Sequence, residues 1–204
     1  MDVRILNLEI CEKYIVNLAN GLISSALQVP SPNQDARPKG VKPELILIHG
    51  ISLPPGEFGG SAVRSLFTNS LDWTTHPYYT QIRGLLVSTH LFIPRQGRIV
   101  QFVPLERRAW HAGKSNFQGR EFCNDFSIGI ELEGTDDVPY TDEQYARLIL
   151  VVEAIFDAYP EISIRKIAGH CDVSSGRKTD PGPAFDWLRM YDGLKTRVEA
   201  PKNK

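Results

Sequence analysis

Two segments of the chain carry residue types that can hold a metal ion and put it to work. ILIHGISLPPGEFGG (residues 46–60) brings an apolar run to its end at His49. GHCDVSSGRKTDPGPAFDW (residues 169–187) sets Lys178 and Asp180 within ten residues of His170. Two imidazoles and one carboxylate are the protein ligands of a catalytic zinc ion that keeps a fourth position open for water. A lysine beside such a site can stabilise the oxyanion formed when a carbonyl is attacked. The combination points to a zinc hydrolase. Taken alone, either histidine is better explained as a satisfied side chain at a strand end; their occurrence together with a carboxylate carries the reading. Asp172, two residues after His170, competes with Asp180 for the third place, and the spacing does not choose between them.

A further carboxyl stands out in SIGIELEG. Counting alternation, Ile128, Ile130 and Leu132 share one face of a strand, while Gly129, Glu131 and Glu133 share the other. A partly buried Glu131 would have a raised pKa and serve as a general base; on an open sheet face it would be inert. His90 interrupts the apolar run LLVSTHLFI and reads as a hydrogen-bonded core histidine. Trp110 and His111, in a polar loop, either line a ligand cleft or cap the core. His76, before a proline, reads as a turn residue.

The elements that must position these groups follow from pattern. Residues 44–49 form a strand buried on both faces, ELILI being almost wholly apolar. Pro54-Pro55-Gly56 forces a turn, with a helix over 58–67 and a short one after Pro77. Residues 85–93 and 98–103 read as strands of a hairpin, and 127–132 as another strand in which Gly129 marks a close backbone approach. Residues 141–159 form the clearest helix. Thr141 and Gln144 have capping-box spacing, and Tyr145, Leu148, Ile149, Val152, Ile155, Phe156 and Tyr159 recur at three and four residues. Residues 165–170 return as a strand into the second histidine, and Pro183 can open a last helix. This order predicts a single α/β domain, a central mixed sheet flanked by helices.

Composition narrows the rest. With 204 residues there is room for one full core. Lys plus Arg (23) balance Asp plus Glu (24), leaving no electrostatic footprint for nucleic acid or an anionic membrane. No apolar run reaches the length that spans a bilayer. IVNLANGLISSALQV is broken by Asn17, Asn20 and Gly21 and follows a start of mixed charge, so it reads as a helical extension rather than a signal peptide. Three cysteines without regular spacing are no disulfide framework and fit a reducing compartment, with Cys171 read as a buried apolar residue. The expected division is an N-terminal extension over 1–27, a catalytic domain over 28–195 and a frayed tail over 196–204.

HGISLPPGEFGG, VSTHLFIPRQGRIVQFVPLERRAWHAG, GREFCNDFSIGIELEGTD and GHCDVSSGRKTDPGPAFDW together resemble the cytoplasmic AmpD-type N-acetylmuramoyl-L-alanine amidases, over about residues 28–190. The wider superfamily takes in phage amidase lysozymes and animal peptidoglycan-recognition proteins. The resemblance implies one zinc ion per chain on His49, His170 and Asp180, Glu131 as catalytic acid/base, and Lys178 as transition-state stabiliser. It implies hydrolysis of the amide between the lactyl group of 1,6-anhydromuramic acid and L-alanine. The substrates would be small muropeptides recycled in the cytoplasm, whose accumulation induces β-lactamase in some bacteria. No nucleic acid, membrane or obligate protein partner is implied. Trp110, His111 and Arg120 are expected to contact substrate. Three departures from the family pattern stand out: Gly50 follows the first histidine where an asparagine is usual, and Leu86 and Phe122 replace arginines that bind the acidic end of the stem peptide. An intact hydrolytic centre with altered or looser stem-peptide selectivity is therefore expected. The rivals are a recognition protein that binds without cleaving, which goes with loss of a zinc ligand, and an exported lytic amidase.

Overall fold

The computed structural model describes residues 13–198. Residues 1–12 of the expected extension, with Cys11, and residues 199–204 of the expected tail lie outside the described residues. The chain begins with strands β1 (Val16–Asn17), β2 (Leu22–Ile23), β3 (Leu27–Gln28), β4 (Gln34–Ala36) and β5 (Leu45–Ile51). Helices α1 (Ala62–Phe67) and α2 (Pro77–Gln81) follow. Then come β6 (Leu91–Ile93), β7 (Val100–Gln101), β8 (Arg107–Ala109), β9 (Asn116–Phe117), β10 (Arg120–Glu121) and β11 (Ser127–Glu133). Helix α3 (Asp142–Ala158), strand β12 (Ile167–Gly169), the short α4 (His170–Val173) and α5 (Trp187–Val198) complete the chain.

A six-stranded sheet runs in the order β12-β5-β11-β6-β7-β3. β12, β5, β11 and β6 are parallel, β7 is antiparallel to β6, and β3 is parallel to β7. The mixed sheet flanked by helices is the architecture expected from the sequence. Ile46, Ile48, Ile128, Ile130 and Leu132 face the main core with Leu148, Val152 and Ile155 of α3 and Met190 and Leu194 of α5. Leu45, Leu47 and Ala168 point the other way, into a smaller cluster with Ala112, Cys123 and Phe126. A third cluster packs α1 and α2 on the β6–β7 side. The α3 capping box forms: Thr141 Oγ1 accepts from the Gln144 N–H at 3.2 Å, and Gln144 Oε1 accepts from the Thr141 N–H at 3.0 Å.

Several expectations need correction. Residues 13–28 are β-structure and turns, not helix. Asn17 and Asn20 accept from the backbone N–H groups of Ala19 and Leu22 (2.9 and 3.0 Å), and Gly21 takes a left-handed φ of 68°. These are turn devices that helical apolar spacing does not reveal. The segment is stitched into the domain by Gln101, whose amide bonds Ile23 N and Gly21 O, while Tyr14, Val16 and Ile23 enter the main core. Of the strand expected over 85–93 only Leu91–Ile93 pairs. Leu85 and Leu86 are exposed, and Ser88 is held by Asn33 O and Trp110 instead of a strand. The last helix begins at Trp187, beyond Pro183. His170 opens a helical turn rather than ending a strand. Cys171 on that turn is half-buried, with burial raising its thiol pKa.

Candidate metal centre

The parallel register sets Glu131 of β11 directly beside His49 of β5, on the same face of the sheet. β12 ends one residue before His170, at the neighbouring strand end. The loop after α4 then carries Asp180 back to both histidines. Its return is fixed at two points: the Cys171 N–H donates to the Asp180 carbonyl at 2.9 Å, and the Tyr140 hydroxyl to the Pro181 carbonyl at 2.9 Å. Tyr140 lies across Gly50 of β5 and Gly134, the residue after β11; a Cβ on either would overlap its ring or hydroxyl.

One ligand atom each from His49, His170 and Asp180 lies within 4.8 Å of the others. Asp180 Oδ2 is 3.0 Å from His170 Nδ1 and 3.3 Å from His49 Nδ1. The far nitrogen of each ring is engaged elsewhere: His170 Nε2 lies 3.1 Å from the Ala112 carbonyl, and His49 Nε2 lies 2.9 Å from His111 Nδ1. A carbonyl only accepts, so a proton on His170 Nε2 satisfies that contact and leaves Nδ1 as the atom turned toward Asp180. Lone pairs and a carboxylate converging without a proton between them repel one another unless a cation sits there. The donor set therefore fits a divalent metal, with His49 already neutral: burial, relieved in part by Asp180, pulls its pKa down to about 4. Asp172 is excluded from this set because its Oδ2 caps the Gly169 N–H at 2.7 Å.

Glu131 is 8 % exposed, its Oε1 3.9 Å from His49 Nδ1, while its buried Oε2 has no hydrogen-bond partner. Its sequence twin Glu133 is spent on structure, accepting from the N–H groups of Gly59 and Arg95. Burial and the Asp180 charge raise Glu131 well above the ordinary carboxylate range, and Lys178 opposes this. Lys178 is exposed, and its charge acts on both Glu131 and His49.

The expected substrate contacts separate. His111 is not a cleft wall but a buried support behind His49, with its Nε2 3.3 Å from Ser127 Oγ. Its ring lies flat on Gly129, where a Cβ would come within 2.6 Å of Cγ and Nδ1. Burial holds both His111 and His90 well below their usual pKa. Trp110 is half-buried, with its backbone N–H on Ser88. Arg120 stands apart: its guanidinium is 2.9 Å from Glu44 and lies over the Phe126 ring, at the other end of β5 from His49. His90 is the core histidine expected, its Nδ1 accepting from the Gly129 N–H and its Nε2 facing the Arg107 carbonyl. Four supporting residues escaped the sequence. Asn124 accepts from the backbone N–H groups of His111 and Ala112, and Arg177 bonds the carbonyls of Ala112 and Lys114. Ser127 and Tyr140 are the others; each acts on a residue distant in sequence, so no periodicity or spacing marks its role, even where it lies within a motif.

A mixed-sheet α/β domain with a His–His–Asp cluster that could hold a metal ion, and a buried glutamate beside it, has the layout of a hydrolase. The N-acetylmuramoyl-L-alanine amidase family model (Amidase_2) matches residues 39–183, and the chain belongs to that family. It is 55 % identical over 173 residues to the 1,6-anhydro-N-acetylmuramyl-L-alanine amidase AmpD of Escherichia coli (strain K12), covering 85 % of this chain and 94 % of the relative. A crystal structure of a selenomethionine AmpD derivative superposes with a TM-score of 0.85 at 51 % identity, over 88 % of this chain and 99 % of that one. The E. coli amidase AmiD, solved with the substrate anhydro-N-acetylmuramic acid-L-Ala-D-γ-Glu-L-Lys, superposes with a TM-score of 0.55 at 27 % identity, over 77 % and 60 % of the two chains. The AmpD-type resemblance read from the motifs is thus established.

Proposed function

We propose that the protein is a zinc-dependent amidase that hydrolyses the bond between the lactyl group of 1,6-anhydromuramic acid and L-alanine in small cytoplasmic muropeptides, as part of cell-wall recycling. The observation that carries the reading is the convergence of His49 Nδ1, His170 Nδ1 and Asp180 Oδ2 beside a buried glutamate with an unpartnered oxygen. The substrate class is supported by the AmpD relatives and by the muropeptide held in AmiD. Among the described residues no helix is long and apolar enough to cross a membrane.

Zinc in a three-ligand site supplies an acidified water and a Lewis acid for the amide carbonyl. The chain's own groups do the rest. Glu131 takes up the water's proton and returns it to the departing alanine nitrogen; its raised pKa makes it a better base than an ordinary glutamate. Lys178 contributes positive charge where the amide oxygen becomes negative.

The test is mass spectrometry of purified protein with anhydromuramoyl-tripeptide, with and without a chelator. Free tripeptide is expected, ceasing on chelation and returning with Zn²⁺. Glu131→Gln is expected to lower turnover by about two to four decades with the bound metal unchanged. Cleavage that persists without metal, or full activity in E131Q, refutes the reading.

A further inference from the structure

We infer that His111 and Ser127 are positioning residues that fix the proton of His49 on Nε2 and so reserve Nδ1 as the metal donor. The inference rests on the metal centre proposed above. It starts from an atom whose role is unambiguous. Ser127 Oγ lies 2.6 Å from the Cys123 carbonyl. The carbonyl has no hydrogen to give, so the hydroxyl donates its only proton there. Toward His111 Nε2, at 3.3 Å, Ser127 Oγ is then an acceptor, and the proton of that contact belongs to His111 Nε2. A neutral imidazole has one N–H, so His111 Nδ1 accepts. The 2.9 Å contact to His49 therefore runs from His49 Nε2–H to His111 Nδ1. His49 Nδ1, which faces Asp180 and Glu131, is left with a bare lone pair.

The chain of bonds is built into the fold rather than incidental to it. Ser127 and Gly129 lie on the face of β11 that carries Glu131. Gly129 leaves the space the His111 ring fills. Asn124 holds the backbone N–H of His111, and Arg37 bonds the carbonyls of Asn124, Asp125 and Ser127, so the far end of the relay is clamped as well. His170 reaches the same result by a shorter route, through the Ala112 carbonyl. Two different supports thus yield one outcome: both rings offer Nδ1, and neither can rotate its proton into the metal position.

The experiment compares His111→Phe with His111→Asn. Phenylalanine keeps a ring over Gly129 but has no acceptor. Asparagine leaves a larger void but can place its amide oxygen where Nδ1 stood. Zn²⁺ affinity, measured by competition with a chromophoric chelator, is expected to fall about 10–100-fold in H111F and to be largely restored in H111N. A ring that only fills space predicts the reverse order, so H111F matching wild type, or binding more tightly than H111N, overturns the proposal. The ¹⁵N shifts of His49 in metal-free protein give a readout independent of metal and of activity: Nε2–H in wild type, and loss of that single tautomer in H111F and in the milder Ser127→Ala. A wild-type protein that binds no zinc defeats the proposed metal centre, while the ¹⁵N arm still decides the relay; a mixed His49 tautomer in wild type defeats the relay while zinc binding stands.

Discussion

A single methyl group at Gly129 tests the packing behind the metal centre. An alanine Cβ there would sit 2.6 Å from Cγ and Nδ1 of His111 and 2.8 Å from Cδ2, where ordinary contact begins at 3.4 Å. The ring has little freedom to retreat. Movement toward His49 compresses a contact already at 2.9 Å, and movement away breaks it. The His90 ring stands 5.6 Å off, centroid to centroid. Overpacking of a dense core costs about 1–3 kcal/mol, and a buried N–H left without its acceptor costs about 1–3 kcal/mol more. Since one displacement relieves part of both, Gly129→Ala is expected to destabilise the metal-free protein by about 2–5 kcal/mol. The measurement is the denaturant midpoint at unchanged slope. Gly60→Ala is the control: its Cβ would find nothing nearer than 3.9 Å, its position is exposed, and it should be neutral or stabilising by about 0.4–1 kcal/mol. If Gly129→Ala lies within about 0.5 kcal/mol of wild type, the ring is not pinned as described and the reasoning fails.

Acid should loosen the metal-free protein before ordinary carboxylates titrate. His49, His90 and His111 are held neutral below their unfolded value of about 6.5, so the unfolded chain binds more protons and stability falls as the pH is lowered. Glu131, whose pKa is raised, opposes them, one group against three. A net loss of stability between pH 6 and 5 is expected, and a flat unfolding free energy across that interval contradicts it. On the substrate side, Leu86 and Phe122 are 55 % and 63 % exposed and offer no charge to a stem-peptide carboxylate. Amidating the distal carboxylate should change kcat/KM by less than about threefold, well below the tenfold or more that a charge-assisted bond commands; a strong preference for the free acid sinks this expectation.

What the sequence revealed divides by the range of the signal. ELILI declares a strand buried on both faces because it is almost wholly apolar, SIGIEL declares a strand by its alternating Ile128, Ile130 and Leu132, and the Thr141 cap with its apolar stripe declares α3, since those signals lie within one element. The ligand histidines, Asp180 and Glu131 were legible through motifs, and the register of β5 and β11 then brings them together. Residues 13–28 misled because their apolar spacing mimics a helix while Asn17, Asn20 and Gly21 act through local turns. The strand over 85–93 was overextended because an apolar run does not say which residues find a pairing partner. The relay was hidden altogether: His49 and His111 are 62 residues apart, and no local pattern joins them.

The ring of Tyr140 ties two strand ends to the loop that carries Asp180. A side chain at residue 50 or 134 has to displace that ring or its hydroxyl, and the displaced hydroxyl gives up its hold on the Pro181 carbonyl next to Asp180. A change of volume at either glycine is therefore felt at the third member of the cluster without touching it: the tyrosine works as a lever whose short arm lies on the glycines and whose long arm steadies the carboxylate.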